Sequence, residues 1–162
     1  MRRVPRARPR VLLIDTNLFL VLVVGSHDPA HIERFKRTRA YTADDYVLLT
    51  TFISGFSRLL VTPNILTEVS NLAGQLAEPL RGEVFASLAL LAAQAGERYF
   101  PSREAVLESG FTRLGLTDIT VLLAAREHVA VLTDDLPLYL KLLENRVFVV
   151  NFNHLRDEIR DF

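Results

Sequence analysis

The chain has 162 residues, enough for one domain with a substantial core and too few for two. It is 49% hydrophobic and 23% charged, with 19 Lys and Arg against 19 Asp and Glu, which excludes a disordered chain and any whole-molecule basic field directed at nucleic acid. The absence of cysteine excludes disulfides and thiolate zinc sites and suits a reducing cytoplasm.

Residues 1–10 carry Arg2, Arg3, Arg6, Arg8 and Arg10 and read as a flexible Arg-rich arm ahead of one domain over 11–162. The arm and the apolar run behind it imitate a secretory signal peptide. Asp15 and Asn17 argue against that reading, because an Asp in the middle of an inserting segment costs about 2.5–3.5 kcal/mol. The run is also too short to span a bilayer, so no membrane partner is expected.

Val11–Ile14 is wholly apolar and predicts a strand buried on both faces. Asp15 follows it, and a helix is predicted over Thr16–Val24, ending near Gly25. Pro29 marks a turn, and Ala30–Arg39 reads as a short helix with Arg34, Lys36, Arg37 and Arg39 clustered on it. Such a cluster is a solvated face unless it lies beside acids, where it would hold a phosphate backbone. Thr42 and Asp45 resemble a capping box for a helix running to about Phe56. That helix is apolar enough to meet a partner, although core packing accounts for it.

Arg58–Val61 is a second strand. Thr62 as N-cap and Pro63 at the first helical position start a helix with Ile65, Val69, Leu72 and Leu76 on one face, ending before Pro79. A long helix covers Leu80–Ala95, with Gly96 as its terminator. Tyr99–Pro101 reads as an extended piece, Ser102–Glu108 as a helical turn or two capped by Ser102, and Gly110–Gly115 as loop. Thr117–Glu127 predicts a buried helix, Val129–Leu132 a strand, Thr133–Asp135 a turn, Leu136–Glu144 a helix and Val147–Asn151 a strand before a helical tail. Strands alternating with helices predict an α/β fold with a central parallel sheet covered on both faces.

Acids recur where strands hand over to helices. Asp15 ends the first strand. Glu68 sits at the edge of the apolar stripe of the helix after the second strand, aligned with Ile65 and Leu72. Asp118 opens the helix after Leu116-Thr117, and Asp134 and Asp135 follow the strand Val129–Leu132. Taken singly, Asp15, Asp118 and Asp134 are equally well read as helix caps, and Glu68 as a group that reaches the surface or pairs with an Arg. Together they point one way, because every strongly patterned strand–helix junction carries one. Converging carboxylates need compensation, since two like charges ~4 Å apart repel by about 4 kcal/mol at an effective dielectric of 20. A hard divalent ion, Mg2+ or Mn2+, supplies it, and a carboxylate-held metal performs phosphoryl-transfer hydrolysis without a side-chain nucleophile. His27, His31, His128 and His154 lack ligand spacing to these motifs and read as structural or solvent-facing.

The stretches Leu13-Ile14-Asp15-Thr16-Asn17, Thr62-Pro63-Asn64-Ile65-Leu66-Thr67-Glu68-Val69, Gly115-Leu116-Thr117-Asp118-Ile119 and Val131-Leu132-Thr133-Asp134-Asp135 resemble, in order, the motifs of the PIN domain. This family comprises metal-dependent ribonucleases and includes VapC-type toxins. The resemblance implies a three-layer α/β/α fold with its site at the carboxyl ends of the strands. It implies Asp15, Glu68 and Asp118 as metal-binding acids and Asp135 as the fourth, with Asp134 as a substitute neighbour. It further implies that Thr133 orders the acids and that Asn17 orients Asp15 or a water. Implied partners are an RNA substrate, a small antitoxin protein and a second copy of the chain. The segment between Asp15 and Glu68 is longer than in small toxins of the group, and the basic stretch Arg34–Arg39 belongs to that extra length. Two alternatives stay open. A phosphatase of the haloacid dehalogenase kind also places an Asp after its first strand, but wants a second Asp where Asn17 stands. A non-catalytic interaction module would use its acids only as caps.

Overall fold

Five strands form one all-parallel sheet: β1 (Val11–Ile14), β2 (Arg58–Val61), β3 (Gly96–Glu97), β4 (Ala130–Thr133) and β5 (Val149–Asn151), in the order β3-β2-β1-β4-β5. They belong to a computed structural model that describes residues 7–161; Arg2, Arg3 and Arg6 of the predicted arm lie outside the described residues. β1 is the central strand, and Leu12, Leu13 and Ile14 are each at most 1% exposed, which is why the run carries no alternating polar residue. Its register places Ile14 beside Leu132 of β4, and the Asp15 amide donates to the Leu132 carbonyl at 3.2 Å. The two strand ends that carry acids are therefore neighbours.

Helices cover the sheet in the expected three-layer α/β/α arrangement. One group, α1 (Thr16–His27), α2 (Ala43–Ser54), α3 (Pro63–Ala73) and α4 (Leu80–Gln94), packs around α1. The other, α5 (Ser102–Ala105), α6 (Phe111–Leu114), α7 (Leu116–Arg126) and α8 (Leu136–Glu144), packs around α7. A last helix, α9 (Phe152–Arg160), follows β5 directly. Residues Leu18 to Gly25 of α1 are all buried, so this helix is apolar on every side rather than amphipathic. Among the described residues no helix is long and apolar enough to cross a membrane.

Local signals set most boundaries. Thr42 and Asp45 form the full capping box of α2, each side chain bonded to the other's backbone amide at 3.2 and 2.9 Å. Thr62 caps α3 through the Ile65 amide, with Pro63 at the first helical position. β2 and α8 keep the predicted bounds, β4 lies one residue later than expected, and β5 starts two residues later.

Several expectations need correction. Residues 30–39 do not form an α-helix: a 3-10 turn at Pro29–His31 passes into successive turns. Thr38 is buried and its hydroxyl donates to the Ile32 carbonyl at 2.7 Å, so a side chain takes an acceptor that a helix would use itself. Gly25 is not a stop: α1 continues through it to His27. α4 does end just before Gly96, which then opens the edge strand β3 beside Leu60, while Tyr99–Pro101 forms no strand. α3 ends before Pro79 as expected, but at Ala73, capped by Gly74, so Leu76 lies beyond it. Ser102 is the first residue of α5 and supplies no side-chain cap. The expected loop 110–115 contains α6, set between Gly110 and Gly115 at φ 96° and 85°.

Gly25 is required by a close approach. A Cβ there would lie well inside van der Waals contact of the ring carbons of Tyr46 on α2. Gly25→Ala gains about 1 kcal/mol of helix propensity but forces an overpacking that costs about 1–3 kcal/mol. Urea denaturation should therefore find Gly25→Ala less stable than wild type, and Gly25→Ala with Tyr46→Ala less than additively destabilised. Equal or greater stability of the single variant contradicts the packing.

Candidate metal centre

The carboxyl ends of the strands open into a cleft of about 340 Å³ lined by Asp15, Thr16, Asn17, Glu68, Asn71, Leu72, Asp118 and Asp135. Four acids from four separate segments thus share one space. The site lies beside the junction of β1 and β4, where the chain changes direction across the sheet; open α/β folds bind ligands at such switch points.

Asp15 is 5% exposed and caps α1, its Oδ1 accepting from the Leu18 amide at 3.2 Å. Its Oδ2 accepts from the Thr133 hydroxyl and from the Asp134 amide at 3.1 Å. The same Thr133 oxygen accepts from the Asp135 amide at 3.0 Å. Thr133 therefore joins the acid after β1 to the acid after β4. Asp135 in turn caps α8, accepting from the Leu138 amide at 2.8 Å through Oδ1. The capping reading holds for Asp15, but the cap of α8 is Asp135 and not Asp134, and Asp118 stands in the first turn of α7 without capping it; a cap occupies one side of a carboxylate, and Asp15 and Asp135 also line the cleft.

Glu68 is exposed and held between two hydroxyls, Thr16 at 2.9 Å on Oε2 and Thr117 at 2.8 Å on Oε1. Asp118 sits in the first turn of α7. That turn is tied to the end of β2 by the buried pair Thr62–Thr120, 3.1 Å apart, and Thr120 also donates to the Thr117 carbonyl at 2.7 Å.

Asp134 and Asp135 take different places. Asp135 lines the cleft, whereas the Asp134 Oδ2 accepts from the Tyr41 hydroxyl and its carbonyl accepts from the Asn153 amide at 3.3 Å. Asn17 is exposed and lines the cleft, but the hydrogen bonds on Asp15 come from Leu18, Thr133 and Asp134. The expected role of Asn17 in orienting Asp15 is thus filled by these three donors.

Tyr41 is a component with no sequence signal. Arg156 of α9 lies over its ring at 4.8 Å, bonds both oxygens of buried Asp45 at 2.9 Å and donates to the Ala40 carbonyl at 2.9 Å. Burial, with Asp134 alongside, raises the Tyr41 phenol well above its usual range, so it stays a donor to Asp134. The last helix thereby braces the strand end that supports Asp15.

The electrostatics are those of a site short of positive charge. Burial, and then the charge of Asp134, raises Asp15 well above the usual carboxylate range. Burial, with Asp135, Glu68 and Asp134 nearby, pushes Asp118 up to about 7. Asp134 Oδ1 is the one buried side-chain polar atom without a hydrogen-bond partner among the described residues. The donors lining the cleft are the carboxylates, the Thr16 hydroxyl and the side-chain amides of Asn17 and Asn71, an oxygen-rich set that fits a hard divalent cation. No histidine lines the cleft; His27 instead pairs with Glu83 at 3.2 Å and stacks on His31. Among the described residues no three His, Asp or Glu groups are gathered closely enough to hold one ion as they stand.

The sign of the pH dependence follows from Asp118. Its folded pKa is raised, so between about 4 and 7 the folded state keeps a proton that the unfolded state has lost. Asp118's contribution to stability therefore falls as pH rises through that window and levels off above it. In EDTA, Asp118→Asn should melt above wild type at pH 8, with about 2–4 °C for each kcal/mol relieved, and the gap should close by pH 5. A gap that is constant, or reversed, contradicts the assignment.

Comparison with protein-family models finds none that matches the chain, and comparison with curated proteins finds no match either.

Proposed function

We propose that the chain is a PIN-like, Mg2+- or Mn2+-dependent ribonuclease that hydrolyses RNA phosphodiester bonds and leaves a 5′-phosphate. The observation that carries this reading is the meeting of Asp15, Glu68, Asp118 and Asp135 in one cleft at the strand ends. These four residues would hold the metal. When bound, it supplies Lewis acidity that lowers the pKa of water and offsets charge developing on the phosphate.

The protein's own contribution is placement. Thr133 and the amides of Leu18 and Asp134 fix both oxygens of Asp15, so its negative charge is presented in one orientation. Thr16 and Thr117 hold Glu68 at the opposite wall, and Tyr41 keeps Asp134 behind Asp15. Asn17 stands at the exposed mouth, where its amide meets an entering phosphate. The absence of cysteine, and of any serine among the lining residues, accords with attack by water rather than by a side chain. In the toxin form of this reading the protein acts in the cytoplasm, is restrained by a small antitoxin protein and pairs with a second copy of itself.

Purified protein should cleave single-stranded RNA in Mn2+ and stop in EDTA. Asp15→Asn and Glu68→Gln should each lower the rate by at least ~100-fold, the order expected when stabilisation of transition-state charge is lost. Thr133→Ala should cost about 10–100-fold in metal affinity or rate, as for residues that orient ligands. Mn2+ at a hundred times its Kd should stabilise wild type by about 2.7 kcal/mol and leave Glu68→Gln unmoved. Cleavage that persists unchanged in Asp15→Asn overturns the reading. Absence of both cleavage and a metal effect leaves the interaction module in its place.

A further inference from the structure

The segment between α1 and α2 carries Arg34, Lys36, Arg37 and Arg39, all exposed, against two acids, Asp28 at its start and Glu33. None of the four cations forms an ion pair among the described residues. On a chain with no net charge, this is a local excess that the protein itself leaves uncompensated. The segment is nevertheless held in place. Ile32 and Thr38 are 0% exposed, Phe35 is 7% exposed and Tyr41 is 6% exposed, so side chains alternating with the cations anchor it in the core.

Two bonds set this segment beside the acid cleft. The Tyr41 hydroxyl donates to Asp134, whose amide bonds Asp15. Arg37 Nε donates to Gln75 at 2.9 Å, three residues beyond the cleft-lining Leu72. The Arg37 bond uses only Nε, leaving both terminal nitrogens for another acceptor.

We propose that residues 34–39 form a strap for the phosphate backbone of single-stranded RNA, positioning the strand across the neighbouring acids; this rests on the nuclease reading for its biological sense. A cleft lined by carboxylates repels a polyanion, so cations fixed along its flank supply the attraction that the cleft lacks. Exposed Arg and Lys side chains on an anchored backbone contact phosphates without reading base sequence. The strap therefore sets affinity and register and leaves sequence choice to the cleft.

The test uses full-length Asp118→Asn in EDTA, so that binding is read without cleavage, with a fluorescein-labelled 20-nucleotide RNA followed by anisotropy. Replacing Arg34, Lys36, Arg37 and Arg39 with Gln should weaken binding by about tenfold or more at moderate salt and reduce the slope of log K against log salt by about 3, as expected for four lost single-strand phosphate contacts. Circular dichroism should be unchanged and the melting temperature nearly so, because the four side chains are exposed, the buried anchors stay and only the exposed Arg37–Gln75 bond is lost. A control replacing Arg10, Arg58 and Arg146, exposed at the other end of the sheet, should change binding less than threefold. Unchanged RNA binding in the strap variant overturns the proposal, as does an equal loss in the control. Loss of binding to poly-glutamate with RNA binding intact also overturns it, in favour of an acidic protein partner. If the strap variant loses RNA binding while wild type shows no Mn2+-dependent cleavage, the strap stands and the nuclease reading falls. Metal-dependent cleavage with unimpaired RNA binding in the strap variant has the opposite meaning.

Discussion

Repulsion among carboxylates sharing one small space is the constraint around which this molecule is arranged. Two such charges ~4 Å apart oppose each other by about 4 kcal/mol at an effective dielectric of 20. The protein offsets part of this. Asp15 and Asp135 cap helix N-termini and Asp118 lies in the first turn of a third, positions worth about 0.3–1 kcal/mol each. Hydroxyls of Thr16, Thr117 and Thr133 add hydrogen bonds to Glu68 and Asp15. The remainder is visible in the raised proton affinities of Asp15 and Asp118. A fold that gathers acids and leaves them short of positive charge is prepared to take up a proton or a cation.

The sheet makes the gathering unavoidable. With β1 between β2 and β4, the residues just past Ile14 and Leu132 emerge side by side. Thr133 spans that gap, so one hydroxyl sets the relation between acids 120 residues apart in the chain. Tyr41, Asp45 and Arg156 extend the support outward, tying α2 and α9 to the same strand end. Damage at Arg156, remote in sequence from every acid of the cleft, is thus felt at Asp15 through Tyr41 and Asp134.

Much of this was legible in the sequence because it rests on local chemistry. An apolar run followed by Asp15, the Thr42–Asp45 box and the Thr62-Pro63 start each encode their own geometry within a few residues. The alternation of strands and helices was enough for the layer architecture, and the acids at the junctions were enough to propose the cleft. What could not be read was long-range pairing of side chains. Tyr41 meets Asp134 across 93 residues and Arg156 meets Asp45 across 111, and neither pairing leaves a local trace. Gly25 was misread for the same reason: it is small because Tyr46 lies against it, not because a helix ends there. The stretch 30–39 carries a helix-like spacing of buried residues, yet the buried Thr38 hydroxyl competes for backbone acceptors and turns the chain instead.

The strongest single test is anomalous diffraction from crystals soaked in Mn2+ near neutral pH. The account predicts anomalous density within the cleft, contacted by carboxylate oxygens of Asp15, Asp118 and Asp135, with Glu68 drawn toward it. Density only elsewhere on the surface, or none at saturating Mn2+ with the cleft open to solvent, contradicts it.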